Sequence, residues 1–123
     1  MKIEFRLIKA VITIVLISAA IAKAAPSGLL DEDAAVSLLQ RTLKRDKVYE
    51  KRISLDCISY ITEEKTKAYF EFVLREIHNA KCGGVPETSP AIDRYRVYRR
   101  SSKIEQYEVA EDTWHPYKGA QTK

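Results

Sequence analysis

Ala68-Tyr69-Phe70-Glu71-Phe72-Val73-Leu74-Arg75 alternates along its whole length, with Ala68, Phe70, Phe72 and Leu74 on one side and Tyr69, Glu71, Val73 and Arg75 on the other. A period of two is that of a β-strand, whose successive side chains point to opposite faces. Ala, Glu, Leu and Arg would tolerate a helix over residues 67–78, but Tyr69, Phe70, Phe72 and Val73 favour the strand. Upstream, Ile53, Leu55, Cys57 and Ile61 share one face, with Ser54, Asp56 and Tyr60 on the other. Glu63-Glu64-Lys65-Thr66 reads as the polar turn between these two runs, which together form a hairpin.

A second alternating pair follows on the C-terminal side. Ile92 to Arg99 places Ala91, Asp93, Tyr95 and Val97 opposite Ile92, Arg94, Arg96 and Tyr98, and Arg100-Ser101-Ser102 joins it to a strand from Lys103 to Val109. Between the pairs, Lys81 to Pro90 contains two Gly and two Pro and reads as a loop. Trp114, Pro116 and Tyr117 supply aromatic surface with which a small domain closes its core.

Before the strands the period is helical. Ala35, Val36, Leu38, Leu39 and Leu43 recur at steps of three and four, while Gln40, Arg41, Lys44 and Arg45 take the opposite face. Asp31 or Asp33 can accept from the free amides of the first turn, and Lys44 and Arg45 sit at the negative end of the dipole. The order is therefore one helix and four antiparallel strands, an α+β domain over residues 31–117 whose helix covers one sheet face. The nearest architecture is a cystatin-like or NTF2-like roll. Residues 25–30 read as a linker and 118–123 as a tail.

The whole chain has 123 residues, 46% of them apolar and 31% charged, which allows one small domain and excludes a multidomain enzyme. Its first residues, Met1 to Lys9, are basic; an uncharged run from Ala10 to Ala22 and then Ala22-Lys23-Ala24 follow. That is the order of a secretory signal peptide over residues 1–24, and the apolar run falls short of the about 20 residues that an uncleaved membrane anchor needs. Cleavage after Ala24 removes four of the 21 basic residues and one of the 17 acidic ones, so the net charge falls from +4 to +1. A nucleic-acid partner, which requires a basic excess, is not expected. With the first cysteine as far on as Cys57, lipid attachment near the cleavage site is not expected either, and the product is read as a soluble periplasmic or secreted protein.

Two cysteines in an exported chain point to a disulfide between Cys57 and Cys82. The loop so closed has about 26 residues and contributes roughly 3 kcal/mol, useful to a small domain that buries only about two thirds of its unfolded surface. A reactive or metal-bound thiol is the alternative, but the chain has no C-x-x-C pair, and His78 and His115 lack ligand spacing. No nucleophile elbow, zinc-binding His pair or Gly-rich phosphate loop occurs, so no catalytic residue, metal or cofactor is assigned.

The candidate binding face consists of Arg75, His78, Arg94, Arg96 and Tyr98. Arg94 and Arg96 project from one side of one strand, and Arg75 lies near the end of another, close to His78. Arginine forks bind carboxylates bidentately, and His78 could serve as an acid or base at a sheet mouth. The plainer alternative is a solvated face laced with cross-strand pairs to Glu71, Glu105 or Asp93.

The loop Cys82-Gly83-Gly84-Val85-Pro86-Glu87-Thr88-Ser89-Pro90, followed by Asp93-Arg94-Tyr95-Arg96-Val97, resembles a family of small exported proteins of Gram-negative bacteria with no assigned activity. The resemblance covers residues 55–117, including Arg75-Glu76-Ile77-His78 and Trp114-His115-Pro116-Tyr117. It departs at Val85, where the family pattern has Asp, and at Gln106-Tyr107-Glu108, where it has Trp-Tyr-Asp. It implies export, the disulfide and a compact domain, and it implies no reaction. The expected function is thus a non-enzymatic binding domain for another envelope or secreted protein, such as an inhibitor or immunity protein. A small-ligand or catalytic NTF2-like domain with a pocket near His78 is the alternative. The purified mature protein should show no free thiol before reduction; two titratable thiols in the unreduced, denatured protein would overturn the pairing.

Overall fold

The computed structural model describes residues 28–119; the signal-peptide reading of 1–24, the first half of the linker (25–27) and the end of the tail (120–123) lie outside them. Helix α1 spans Glu32–Arg45 and is capped as its sequence dictates, the Asp31 carboxylate accepting from the Ala34 amide at 2.8 Å. Its buried stripe is Ala35, Leu39, Thr42 and Leu43. The segment entering it is tied to the sheet: the Leu30 amide donates to the Arg99 carbonyl at 2.9 Å, and Arg99 Nε returns a bond to the Leu30 carbonyl at 3.0 Å.

Five strands follow, β1 (Ile58–Lys65), β2 (Tyr69–Glu76), β3 (Ala91–Tyr98), β4 (Ile104–Glu108) and β5 (Thr113–Pro116). They form one antiparallel sheet in the order β1-β2-β3-β4-β5. The α+β class with an N-terminal helix stands, but the sheet has five strands where four are expected from sequence. The additional one, β5, has four residues and ends in Pro116, too short for a period to register; proline is tolerated there because β5 is an edge.

The first strand also begins later than its alternation implies. Ile53 to Cys57 is coiled by amide bonds from Ile53 to the Tyr49 carbonyl (3.1 Å) and from Cys57 to the Ser54 carbonyl (2.9 Å). Ile53 and Leu55 reach the core from these turns, and two apolar residues two apart do not distinguish a turn from a strand. Glu63, Glu64 and Lys65 belong to β1, with a bulge between Thr62 and Glu64; an edge strand accepts such charges. The real turn is Thr66–Ala68, where Thr66 Oγ1 accepts from the amides of Ala68 (3.1 Å) and Tyr69 (2.9 Å).

Leu39, Leu43 and Tyr49 pack on Ile58, Phe70, Phe72, Leu74, Tyr95 and Val97. Polar atoms inside this layer are paired. The Tyr49 hydroxyl donates to the Asp93 carboxylate and lies 2.9 Å from the Tyr95 hydroxyl, while Gln106 Nε2 donates to Asp93 at 3.5 Å. Tyr49 has one proton and gives it to Asp93, so Tyr95 is the donor in the Tyr–Tyr bond. Burial, the partner tyrosine and Asp93 push the Tyr49 hydroxyl far above its ordinary pKa, and burial raises that of Tyr95, so both stay protonated. Among the described residues no buried side-chain nitrogen or oxygen lacks a partner.

Cys57 and Cys82 form the expected disulfide, with Cα atoms 5.6 Å apart, joining the start of β1 to the loop after β2. Among the described residues no helix is long and apolar enough to cross a membrane. Tyr49→Phe should lower stability by about 1–3 kcal/mol, because it strips the half-buried Asp93 carboxylate of one of its two donors and the buried Tyr95 hydroxyl of its acceptor. Urea unfolding measures this, and an unchanged midpoint would show that the hydroxyl links nothing.

Candidate functional site

The register divides the side chains between two faces. Phe72 opposes Tyr95 beneath the helix, whereas Glu71 opposes Arg96 and Tyr69 opposes Tyr98 on the uncovered side. On that side Arg96 is also opposite Glu105, and Tyr107 is opposite Trp114.

Arg96 organises the uncovered face. Its Nε and Nη2 both lie 3.0 Å from Glu71 Oε2. Its guanidinium carbon is 4.4 Å from the Tyr69 ring centroid and 4.0 Å from that of Trp114, so the cation is held between two aromatic rings. Tyr107 extends the aromatic surface beyond Trp114, with centroids 5.2 Å apart, and Tyr98 extends it beyond Tyr69, at 5.6 Å. The Tyr98 hydroxyl donates to Glu105 at 2.9 Å, and the Tyr69 hydroxyl to Glu64 at 3.0 Å. Partial desolvation and these carboxylates raise both phenol pKa values. Arg94 is 3.1 Å from Glu63 and 3.9 Å from Glu71. With 43% of its side chain exposed against 22% for Arg96, Arg94 is the more available fork.

The five residues singled out from sequence therefore separate. Arg94, Arg96 and Tyr98 share this lattice, whereas Arg75 and His78 brace a loop. Arg75 Nη1 donates to the Ser89 carbonyl at 2.8 Å, and Ser89 Oγ to the Glu76 carbonyl at 2.9 Å. His78 Nε2 lies 2.8 Å from a Glu76 carboxylate oxygen, and its Nδ1 lies 3.0 Å from the Val85 carbonyl and 2.9 Å from Thr88 Oγ1. Its side chain is 11% exposed. Gly84 lies flat on the imidazole: a Cβ there would stand 2.5 Å from the ring carbons, and its φ of +81° belongs to the left-handed region. Asn79 Oδ1 accepts from the amides of Lys81 and Cys82, completing the wrap. The Cys-Gly-Gly segment and Thr88 thus serve as packing for His78.

Asp93, offered from sequence as a carboxylate for the arginines, points to the helix side. Glu71 takes that role, joined by Glu63, which the sequence places in a turn. Trp114, expected from sequence to help close the core, stands instead on this uncovered face, carried there by β5, which the sequence reading lacks. Its signal is the alternation Trp114 and Pro116, the same period that exposes Tyr69 beside Glu71.

The space between helix and sheet is filled by the core side chains. Hollows open at the rim, one of about 520 Å³ beside Leu43, Tyr49, Ile53 and Leu55, another of about 240 Å³ beside Gln106, Glu111 and His115; His78 lines neither. Among the described residues no group of three or more His, Cys, Asp or Glu is placed to hold a metal ion. No family model, curated protein or solved structure matches the chain.

Both nitrogens of His78 face acceptors, which favours the imidazolium, and the Glu76 carboxylate and then the Val85 carbonyl raise its pKa above 6.5. A raised folded pKa stabilises the loop fully below the unfolded value, and this stabilisation is lost as pH rises through the folded value. An NMR titration of the ring should give a midpoint above 6.5, with protection of the Gly83 amide falling through the same range. A midpoint at or below the ordinary histidine value would contradict the arrangement.

Proposed function

We propose that the chain is a non-enzymatic binding domain, exported to the periplasm or secreted, that docks on another envelope or secreted protein in the manner of an inhibitor or immunity protein. The observation that carries this reading is the uncovered sheet face, where Arg96 is clamped between Tyr69 and Trp114 and tied to Glu71. Tyr, Trp and Arg dominate the binding energy of protein interfaces, and side chains already held in place lose little entropy on docking. The lattice neutralises its own charges, as an interface core must when it leaves water.

The disulfide supports an oxidising compartment. A cystatin-like or NTF2-like roll is supported by one helix lying across one face of an antiparallel meander. Membership of the family carrying the C-G-G-x-P-x-T-S-P loop rests on the motif residues themselves.

Trp114 is the chain's one tryptophan, so its emission reports on this face alone. Immobilised wild-type protein should retain a partner from periplasmic or secreted extract, and Arg94→Ala/Arg96→Ala should lose it. The purified partner should shift Trp114 emission to the blue. Equal retention by wild type and a folded double variant, or binding without a change at Trp114, would remove the sheet face from the proposal.

A further inference from the structure

The anionic contact expected of this chain is sought from sequence at Arg75, Arg94 and Arg96, but the carboxylates of Glu63 and Glu71 occupy the two sheet arginines. The unneutralised cations lie elsewhere. Residues 41–52 contain Arg41, Lys44, Arg45, Lys47, Lys51 and Arg52, all exposed, against Asp46 and Glu50. Residues 28–119 are neutral overall, so this short stretch, with four surplus positive charges, faces an equal negative surplus spread over the rest of the domain. Its acids are already engaged: Asp46 is 2.7 Å from Arg45 and accepts from the Tyr117 hydroxyl at 2.9 Å, and Glu50 is 3.9 Å from Lys47. Among the described residues Arg41, Lys44, Lys51 and Arg52 have no carboxylate in ion-pair range.

The hollow of about 520 Å³ opens in this basic pole. Leu43, Tyr49, Ile53 and Leu55 give it an apolar lining, and Lys44 and Lys47 stand beside it. Glu50 and Asp56 also border it, each with its own lysine, Lys47 and Lys81. We propose that this pole binds an acidic polypeptide segment of a partner, one apolar side chain entering the hollow while flanking carboxylates meet the free cations. Recessed apolar groups favour a polypeptide over a membrane surface, which is gripped by apolar side chains that protrude. The large exposed hydrophobic residues Leu29, Ile61, Val85 and Val109 all lie outside the pole. This surface is separate from the uncovered sheet face, so its test is independent of the docking reading above.

The probes are a fluorescent peptide with one phenylalanine flanked by glutamates and an all-glutamate peptide of equal charge, read by anisotropy against the mature protein. The phenylalanine peptide should bind about tenfold more tightly, as burying one such side chain allows, and added salt should weaken both. Lys44→Glu/Lys51→Glu should weaken both peptides about tenfold or more, whereas Lys67→Glu/Arg100→Glu, with the same net charge and outside both residues 41–52 and the lining of the hollow, should not. Ser54→Trp, which fills the hollow from an exposed position, should abolish the preference for phenylalanine and leave the all-glutamate peptide unaffected. Equal affinity for the two peptides, equal loss in the two charge-reversal variants, or no peptide binding would each overturn the proposal. So would binding to phosphatidylglycerol vesicles in place of the peptides.

Discussion

One helix can cover one face of a sheet, and the rest of this structure follows from how the other face manages without a second layer. With 14 residues, α1 is about 21 Å long and lays Ala35, Leu39 and Leu43 over Phe70, Phe72, Leu74, Tyr95 and Val97. The reverse side of β2 and β3 has no such cover, yet Glu71 is only 7% exposed and Val73 is buried. Glu71 is held beneath the arginine that it binds. The Arg96 stem and guanidinium run over Glu71 to meet Tyr69 and Trp114, so an ion pair and two ring stacks replace the missing layer. An isolated surface ion pair contributes little; this one is partly desolvated and held by rings on both sides, which is where such pairs gain strength.

How far the sequence reveals this depends on the length over which a pattern repeats. Alternation through Ala68–Arg75 and Ile92–Arg99 is long enough to identify both strands and their faces, and the helix reads cleanly from its cap to its basic last turn. Patterns shorter than about one strand's usual length fail. Ile53 and Leu55 imitate a strand while lying in turns that carry Tyr49 into the core, and β5 is four residues ending in proline. Charge misleads as well. Glu63-Glu64-Lys65 reads as a turn because it is polar, and it is polar because β1 is an edge.

The same distinction explains which candidate residues come together. Arg94, Arg96 and Tyr98 lie on one strand at period two, and their common face follows from the pleat. Arg75 and His78 are close to each other in sequence, but the register with β3 shifts between Leu74 and Arg75, β2 ends at Glu76, and both side chains bond to the loop. Sequence proximity says nothing about faces once pairing has ended.

Conspicuous sequence and the proposed docking surfaces are consequently different places in this molecule. The loop from Cys82 to Pro90 is the segment most like a motif, and every distinctive residue in it has a mechanical task. Cys82 anchors it to β1, Gly84 lets the backbone rest on the imidazole, and Thr88 and the Val85 carbonyl hold Nδ1. The Val85 side chain takes no part in that network, since its carbonyl alone is used, and it stands exposed. Substitution of that side chain therefore leaves the brace around His78 intact. The two surfaces proposed for docking, the aromatic sheet face and the basic pole, are assembled from ordinary residues whose placement depends on register and helix end. Such surfaces leave no compact signature in a sequence, because the residues that build them are brought together by the fold.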